Sequence, residues 1–225
     1  MKLPCSALLA LTLSTPAFAG PIVVAGTSDP WLAGMATGTR ASLVDFAPSE
    51  SPVQVSDLSL TGGLILTFSV TGGVMNYAGC PLVCDGPDGD WLVNHYEGAE
   101  HGFSSVIAPL NSLMGVFLGD LAPHLSASPT DLDFRPDGVG LDFTTLAPAL
   151  RQVFFIGDGL TRWSTIQHFI VPDGATRLYL GTMDGFEWNN NTGAFIVDVT
   201  PLAAPEPATF LLLGTGLLAL KRRRR

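Results

Sequence analysis

The chain has 225 residues, with 11 lysines and arginines against 20 aspartates and glutamates, and a formal net charge of −9. This acidic balance argues against nucleic acid and against an anionic membrane surface as partners, because both repel a negatively charged protein. The same acidity attracts cations, among them calcium.

The first 19 residues have the pattern of a secretory signal peptide. Lys2 supplies the positive end, Leu8 to Leu13 lie in an apolar stretch, and Ala17-Phe18-Ala19 forms a small-x-small cleavage site. The sequence therefore predicts an exported protein from which residues 1–19 are removed.

Residues 20–200 are predicted to form one domain, since their number suits a single hydrophobic core. Without the signal peptide and the basic C-terminal segment, the chain keeps five arginines and nineteen acidic residues, a net charge of 5 − 19 = −14. The folded part is therefore expected to be more acidic than the whole chain.

The body of the chain has the apolar pattern of β-strands. Apolar and other residues alternate from Leu64 to Val70 and from Phe195 to Val199, which is the period of strands with one buried face. Gly, Pro, Asp and Asn separate the shorter apolar runs, as in the turn sequence Pro172-Asp173-Gly174. These features predict an all-β fold, a single sandwich or jelly roll.

Cys80 and Cys84 remain after removal of the signal peptide. In an oxidising compartment, two cysteines four positions apart are most simply explained by a local disulfide. The competing interpretation is a metal pair, but a Cys-x3-Cys spacing without a second pair is a poor zinc signal.

The acidic segment 90–101 offers the best argument for an enzyme. His95, Glu97, Glu100 and His101 are chemically able to bind a transition metal. Their spacing matches no helical zinc motif, because the two histidines are six positions apart and Gly98 opposes a helix. An exposed acidic loop is the simpler interpretation, and we expect no catalysis.

The loop 184–193 concentrates oxygen atoms between the last two strands. It contains Asp184, Glu187, the consecutive asparagines 189–191 and a threonine, and calcium prefers such oxygen ligands. Trp188 adds an aromatic ring that suits one face of a sugar. Asn and Gly are also common in hairpin loops, so a plain loop is the alternative interpretation.

The loop also resembles the calcium loop of the small galactose-binding bacterial lectins of the PA-I (LecA) type. The resemblance lies in an Asp followed by an aromatic residue and Asn190-Asn191-Thr192-Gly193-Ala194-Phe195, although the loop is one residue shorter here. Upstream, Gly73 to Tyr77 is similar to the segment whose tyrosine carbonyl binds calcium in that family.

This resemblance implies a galactose-binding-like fold and a set of site residues. The implied calcium ligands are Asp184, Asn190, Asn191 and the carbonyls of Tyr77 and Glu187. The saccharide is expected to contact Trp188, His95, His101 and Trp91, with Tyr96 as a further aromatic candidate.

The C-terminal 25 residues combine three elements. Pro205-Glu206-Pro207 is followed by 13 apolar residues, 208–220, and by the basic cluster 221–225. The apolar run is shorter than the ~20 residues of a membrane-spanning helix, and the cations behind it favour the cytoplasmic side. The segment therefore predicts a weak, temporary membrane stop, with a small tail anchor as the alternative.

The order of these three elements resembles the PEP-CTERM sorting signal of Gram-negative bacteria. The sorting segment is assigned to residues 201–225, and the resemblance implies recognition by an exosortase, transient insertion of the tail in the inner membrane, and removal of the tail. The mature protein would then lie on the outer surface or in the extracellular matrix.

Together these features predict an exported, calcium-assisted, saccharide-binding domain whose partner is extracellular polysaccharide. A structural surface protein that binds no small ligand is the first alternative, and a polysaccharide-active enzyme is the second.

Overall fold

The computed structural model describes residues 20–80 and 82–202. The predicted signal peptide, the Pro205 to Pro207 motif and the apolar segment after it lie outside these residues. Apart from two short 3-10 helices, Pro30–Leu32 and Pro123–Leu125, the regular elements of the described residues are β-strands. The prediction of an all-β fold is confirmed.

The described residues form twelve strands, numbered in chain order: β1 Ile22–Ala25, β2 Val53–Gln54, β3 Ile65–Met75, β4 Leu92–Asn94, β5 Val106–Pro109, β6 Leu113–Leu118, β7 Leu132–Asp133, β8 Thr145–Leu146, β9 Val153–Phe155, β10 His168–Ile170, β11 Arg177–Thr182 and β12 Thr192–Leu202. They are arranged in three sheets, with strand orders β1-β12-β3-β10-β8, β2-β11-β6-β9 and β4-β5-β7. A single two-sheet jelly roll is therefore not confirmed.

The longest strand pair joins β3 and β12, which run antiparallel over eleven residue pairs from Met75–Thr192 to Ile65–Leu202. The inward positions of both strands are the alternating apolar residues of the sequence, and all of them are buried: Leu66, Phe68, Val70, Phe195, Val197 and Val199. This burial confirms the predicted period of two and its consequence, one buried face.

In the four-stranded sheet, β6 and β9 are buried over their whole length. All six residues of β6 are buried, so both faces of this strand are covered. A continuous apolar run is what such a doubly covered strand requires. Aromatic contacts join this sheet to the five-stranded sheet, where the rings of Phe154 and Phe169 lie 5.7 Å apart.

The predicted turn between β10 and β11 is present. The amide of Ala175 donates to the carbonyl of Pro172 at 3.2 Å, and Gly174 has a φ of 78°. That dihedral lies in the left-handed region that glycine adopts without steric cost.

Three loops meet at one end of the sheets. Met75, at the end of β3, is paired with Thr192 at the start of β12, and Leu113, at the start of β6, is paired with Thr182 at the end of β11. The segments after β3, between β5 and β6, and between β11 and β12 are therefore neighbours. Within residues 20–80 and 82–202, no helix has the length and apolar character needed to cross a bilayer.

Candidate calcium and ligand site

Asp184 lies just after β11 and is buried. Its Oδ1 accepts hydrogen bonds from the amides of Gly185 at 2.5 Å and Phe186 at 3.3 Å, and the Asn191 side chain is close enough to favour its ionised form. Burial raises the pKa of Asp184 to about 6 against the opposing effect of these donors. The group is therefore a buried carboxylate that is ionised above about pH 6.

Two buried carboxamide oxygens lie in the loops beside this carboxylate. Asn191 donates to the carbonyl of Gly26 at 3.1 Å, while its Oδ1 has no hydrogen-bond partner within the described residues. Asn111, in the turn between β5 and β6, donates to Asp85 Oδ2 at 2.6 Å, and its Oδ1 likewise has no partner there. Its backbone amide bonds to the carbonyl of Met183, which precedes Asp184.

These oxygens have the chemistry that calcium requires. Calcium takes carboxylate, carboxamide and backbone oxygens, and a buried acceptor without a partner is costly unless something satisfies it. Among the described residues, no group of three or more His, Cys, Asp and Glu side chains is placed to hold a metal. A cation here would therefore depend on the asparagine oxygens as well as on Asp184.

The remaining implied calcium ligands are not gathered in the same way. Asn190 is exposed and Glu187 is half-buried, so neither is buried beside Asp184, and their roles stay predictions. The Tyr77 carbonyl already accepts hydrogen bonds from the Thr192 hydroxyl and the Gly79 amide, both at 2.7 Å. These bonds engage both lone pairs of the carbonyl oxygen, and its role as a calcium ligand stays a prediction.

The prediction that the Trp188 ring contacts a sugar does not agree with this structure. Its side chain is only 1% exposed, and its Nε1 donates to the carbonyl of Thr182 at 2.9 Å. The ring packs against Trp31, with 5.6 Å between centroids, and against His95 at 5.9 Å. Trp188 is therefore part of the hydrophobic core beneath the loop.

A carboxylate from the N-terminal part of the chain fixes the Trp188 backbone. Oδ1 of Asp45 accepts hydrogen bonds from the amides of Trp188 at 3.1 Å and Asn189 at 2.8 Å, and its Oδ2 accepts one from Ser42. Asp45 is fully buried. These bonds draw the backbone of the loop inward, which explains why its tryptophan enters the core.

His95 cannot meet a saccharide hydroxyl because it is 1% exposed. Its ring stacks on Trp31 with centroids 3.5 Å apart, and its Nε2 lies 3.0 Å from Oε1 of Glu100. Burial lowers the pKa of His95 to about 3 and raises that of Glu100 to about 7. His95 is a core residue, and its predicted role as a sugar ligand is wrong.

The other two predicted saccharide residues differ in their availability. His101 donates from Nε2 to the carbonyl of Arg40 at 2.7 Å, so this nitrogen is used within the fold. Trp91 is 62% exposed and stays a candidate for stacking on a ligand. The His95, Glu97, Glu100 and His101 set forms no metal cluster in the described residues.

An open groove lies next to Asp184. It has a volume of about 410 Å³ and is lined by Val93, Asn94, Tyr96 and Gly185. Tyr96 is exposed and its ring meets that of Phe186 edge-on, with centroids 6.3 Å apart. The amide of Tyr96 donates to the carbonyl of Gly185 at 2.8 Å, which holds the groove beside the candidate calcium site.

The disulfide between Cys80 and Cys84 is present, with a Cα–Cα distance of 5.2 Å. It closes the loop that follows Tyr77, and the Cys80 amide bonds to the Thr192 hydroxyl at 3.2 Å. The next residue, Gly193, has a φ of 86°, and a side chain there would collide with the Gly73 carbonyl. This crowding explains why the loop enters β12 through a glycine.

Sequence reasoning missed two residues of the site, Asp45 and Asn111. Asp45 stands alone between Val44 and Phe46, and a lone carboxylate in an apolar segment indicates a buried acceptor. Asn111 follows a strand that ends in proline, and it adopts the left-handed φ of 66° that asparagine tolerates in turns. Neither signal indicates which loop the residue contacts.

The fold and the site define an acidic all-β domain with an oxygen-rich set of loops at one end of its sheets. Strand β12 ends at Leu202, and residues 203–225 match the family described as the PEP-CTERM protein-sorting motif. This motif marks an exported surface protein that is sorted by exosortase. No curated protein matches the chain.

Proposed function

We propose that this exported protein is a calcium-assisted, saccharide-binding domain of the cell surface or extracellular matrix. The observation that supports calcium best is the pair of buried oxygens, Asn191 Oδ1 and Asn111 Oδ1, that lack partners in the loops beside Asp184. Leaving a buried acceptor unsatisfied costs about 1–3 kcal/mol. A hard cation would remove this cost and neutralise the Asp184 carboxylate.

In this proposal Asp184, Asn191 and Asn111 hold the ion, and Asn190 and Glu187 are further candidates from the same loop. Calcium would supply positive charge beside Asp184, where the carboxylate of Asp45 adds negative charge. It would also offer free coordination positions, which calcium commonly fills with water or other oxygen ligands. Hydroxyl groups of a saccharide are such ligands.

The saccharide is proposed to lie in the groove beside Asp184. Tyr96 offers an exposed aromatic face for the apolar side of a sugar ring, and Asn94 offers amide donors and acceptors. The groove replaces the buried Trp188 and His95 as the expected contact surface. It lies in the segment 90–101 for which the sequence predicted saccharide contacts.

The sorting motif gives this activity a location. We propose that the tail inserts transiently in the inner membrane, that an exosortase removes it, and that the domain then meets extracellular polysaccharide. The proposal of calcium and sugar binding rests on the site alone, because the sorting motif carries no information about the ligand.

Calcium at 10 mM is expected to raise the melting temperature at pH 7.5, where Asp184 is ionised. For a dissociation constant of about 0.1–1 mM, typical of extracellular sites, mass action predicts about 1.4–2.7 kcal/mol of stabilisation. For a domain of this size that corresponds to roughly 3–10 °C. Differential scanning fluorimetry across a calcium titration measures the shift.

The variant Asp184→Asn keeps the shape and one acceptor oxygen of the side chain but removes its charge. We expect it to fold at least as stably as the wild type without calcium, and to lose most of the calcium shift. Asp198→Asn, at an exposed position of β12, is the matched control and should keep the full shift. A wild-type melting temperature that is constant up to 10 mM calcium would contradict the proposal.

Replacing Tyr96 with alanine is expected to weaken saccharide binding at least tenfold without a change in melting temperature. Its side chain is 80% exposed, so it contributes contact area to a ligand and little to the core. Glycan-array binding followed by titration calorimetry with the strongest glycan measures the loss. Trp163→Ala is the control, because Trp163 is 77% exposed but does not line the groove.

The main alternative is a structural surface protein that binds no sugar. The burial of Trp188 and His95 favours it, because these residues carried much of the expected sugar contact. Absence of both the calcium shift and glycan binding would support this alternative. Catalysis is not part of the proposal, and activity on matrix polysaccharide would be the observation in favour of an enzyme.

A further inference from the structure

The Cys80–Cys84 disulfide packs on strands β3 and β12 next to the candidate calcium site. A side chain at Gly193, at the start of β12, would come within 2.8 Å of the Cys80 sulfur, and one at Gly73 of β3 would come within 2.8 Å of the Cys84 Cβ. Glycine at these two positions leaves room for the close approach of the disulfide. Asn191, whose Oδ1 belongs to the candidate site, lies two residues before Gly193.

The first arm of the disulfide loop is bonded to the neighbour of Asn191. The Thr192 hydroxyl accepts a hydrogen bond from the Cys80 amide at 3.2 Å and donates one to the Tyr77 carbonyl at 2.7 Å. Because this hydroxyl is used both as acceptor and as donor, its orientation is fixed. The backbone that carries Asn191 into β12 is therefore held by the loop.

The second arm is bonded to the other asparagine of the site. Asp85, next to Cys84, exchanges backbone hydrogen bonds with Val74 at 2.9 and 3.1 Å, and its Oδ2 accepts one from Asn111 Nδ2 at 2.6 Å. A carboxylate accepts hydrogen bonds but donates none, so it selects the amino end of the carboxamide. The Asn111 Oδ1 is thereby turned away from Asp85 and left for another partner.

Among the described residues, few other contacts restrain the loop between the two cysteines. Leu82 and Val83 are 93% and 59% exposed, and their amides donate within the loop itself, to the carbonyl of Gly79 at 3.1 and 3.2 Å. Cys84 is exposed as well, so a thiol reagent can reach it from solvent. The disulfide is therefore the connection that holds the Cys80 arm and the Cys84 arm together.

We propose that the Cys80–Cys84 disulfide is a redox switch for calcium binding. Two equivalents of a thiol reductant would break the S–S bond by exchange, leave a thiol on each cysteine, and become a disulfide themselves. The open loop would then no longer hold Thr192 and Asp85 in place, and the two asparagine oxygens would lose their fixed positions. The inference rests on the proposed calcium function and adds its regulation.

The test compares calcium binding by the oxidised protein and by the protein reduced with dithiothreitol, using titration calorimetry. All proteins carry Cys5→Ser, so that the loop supplies the only thiols. Reduction should weaken calcium binding about tenfold, because loss of groups that orient metal ligands commonly costs 10–100-fold in affinity. The melting temperature without calcium should change little, since the disulfide closes a short loop.

The double variant Cys80→Ser, Cys84→Ser should bind calcium as weakly as the reduced protein and should not respond to dithiothreitol. Equal calcium affinities of the oxidised and reduced proteins would overturn the switch and leave the calcium function standing. Absence of calcium binding in both forms would contradict the calcium function itself, and the switch with it.

A second readout follows from linkage, because calcium must favour the disulfide by the same factor by which the disulfide favours calcium. In a dithiothreitol buffer of fixed redox ratio, 10 mM calcium should raise the ratio of disulfide to dithiol protein roughly five- to tenfold. Thiol labelling after an acid quench measures this ratio. A disulfide with only a structural role would give the same ratio with and without calcium.

Thr192→Val tests the first arm, since it removes the hydroxyl but keeps the shape of the side chain. It should weaken calcium binding in the oxidised protein and reduce the effect of dithiothreitol. Thr192→Ser retains the hydroxyl and is the matched control, which should keep both the affinity and the redox effect. An undiminished redox effect in Thr192→Val would count against the assigned connection.

Discussion

Replacing Trp188 with alanine is expected to destabilise the protein by about 3–5 kcal/mol, the usual cost of removing a large aromatic side chain from a core. The side chain is 1% exposed, packs against Trp31 and His95, and donates a hydrogen bond to the Thr182 carbonyl. The substitution thus leaves both a cavity and an unpaired buried acceptor. Urea unfolding monitored by circular dichroism measures the loss.

Two further variants make this experiment informative about function. Trp188→Phe retains part of the volume and should cost about 1–3 kcal/mol, so it remains measurable where the alanine variant fails to fold. Trp91→Ala, at a 62% exposed position, should change the stability by less than about 0.5 kcal/mol. A Trp188→Ala protein as stable as the wild type but unable to bind glycan would restore the role that the sequence predicted for this residue.

The second large effect is the pH dependence contributed by His95 and Glu100. The folded state lowers the pKa of His95 from 6.5 to about 3 and raises that of Glu100 from 4.5 to about 7, in both cases mainly by burial. For His95, the unfolded chain binds the proton more tightly, so stability falls as pH drops below 6.5. For Glu100, the folded chain binds it more tightly, so stability is lost as pH rises from 4.5 through 7.

The two side chains are in contact at 3.0 Å, so they should titrate as one pair. The folded pair holds one proton between about pH 3 and 7, whereas the unfolded pair holds one only between about pH 4.5 and 6.5. We therefore expect the contribution of the pair to be greatest from about pH 4.5 to 6.5. At pH 3 this contribution should be lower by about 2 kcal/mol, because about 1.36 kcal/mol is lost for each pH unit below about pH 4.5. The loss of the contribution above pH 7 should be smaller.

The test measures the free energy of unfolding from pH 3 to 8 for the wild type and for the double variant His95→Phe, Glu100→Gln. The difference between the two pH profiles is the contribution of the pair. The double variant keeps an aromatic ring against Trp31 and a hydrogen-bonding amide at position 100, so both proteins should fold. His124→Phe, at an exposed position, should reproduce the wild-type profile. A difference that stays constant over the whole range would show that the pair does not titrate in this way.

The buried acids around this pair explain why pH matters for this protein. Asp29 is fully buried and its pKa is raised well above the usual value, first by burial and then by repulsion from Glu100, Asp45 and Glu50. One of its oxygens accepts from the Trp31 amide, while the other has no partner among the described residues. The core below the candidate site is therefore more acidic than an apolar core of this size usually is.

The class of fold was predictable because strand pairing is encoded locally. The alternation of Leu66, Phe68 and Val70 can be satisfied only by an extended strand with one side in the core, and the same holds for the last strand. Strand β6 was predictable for the opposite reason, since six consecutive apolar residues fit a strand covered on both faces. The number of sheets was not predictable, because it depends on long-range pairings that leave no periodic signal.

The site was predictable only in part. The order of residues in loop 184–191 indicated an oxygen-rich loop, and the structure does bring Asp184 and Asn191 together. Asp45, which lies 143 residues before Trp188 in the chain, decides which side chain of that loop faces solvent. It binds the loop backbone and leaves Trp188 in the core. No periodicity within the loop contains this information.

The sequence by itself determined export, the sorting tail, the acidic charge and the all-β class, because each depends on composition or on the order of neighbouring residues. Tertiary structure alone decided the division into three sheets, the burial of Trp188 and His95, and the meeting of Asn111 with the loop after β11. Those features depend on contacts between distant segments, and the energy of such contacts is set by burial and hydrogen bonding in three dimensions.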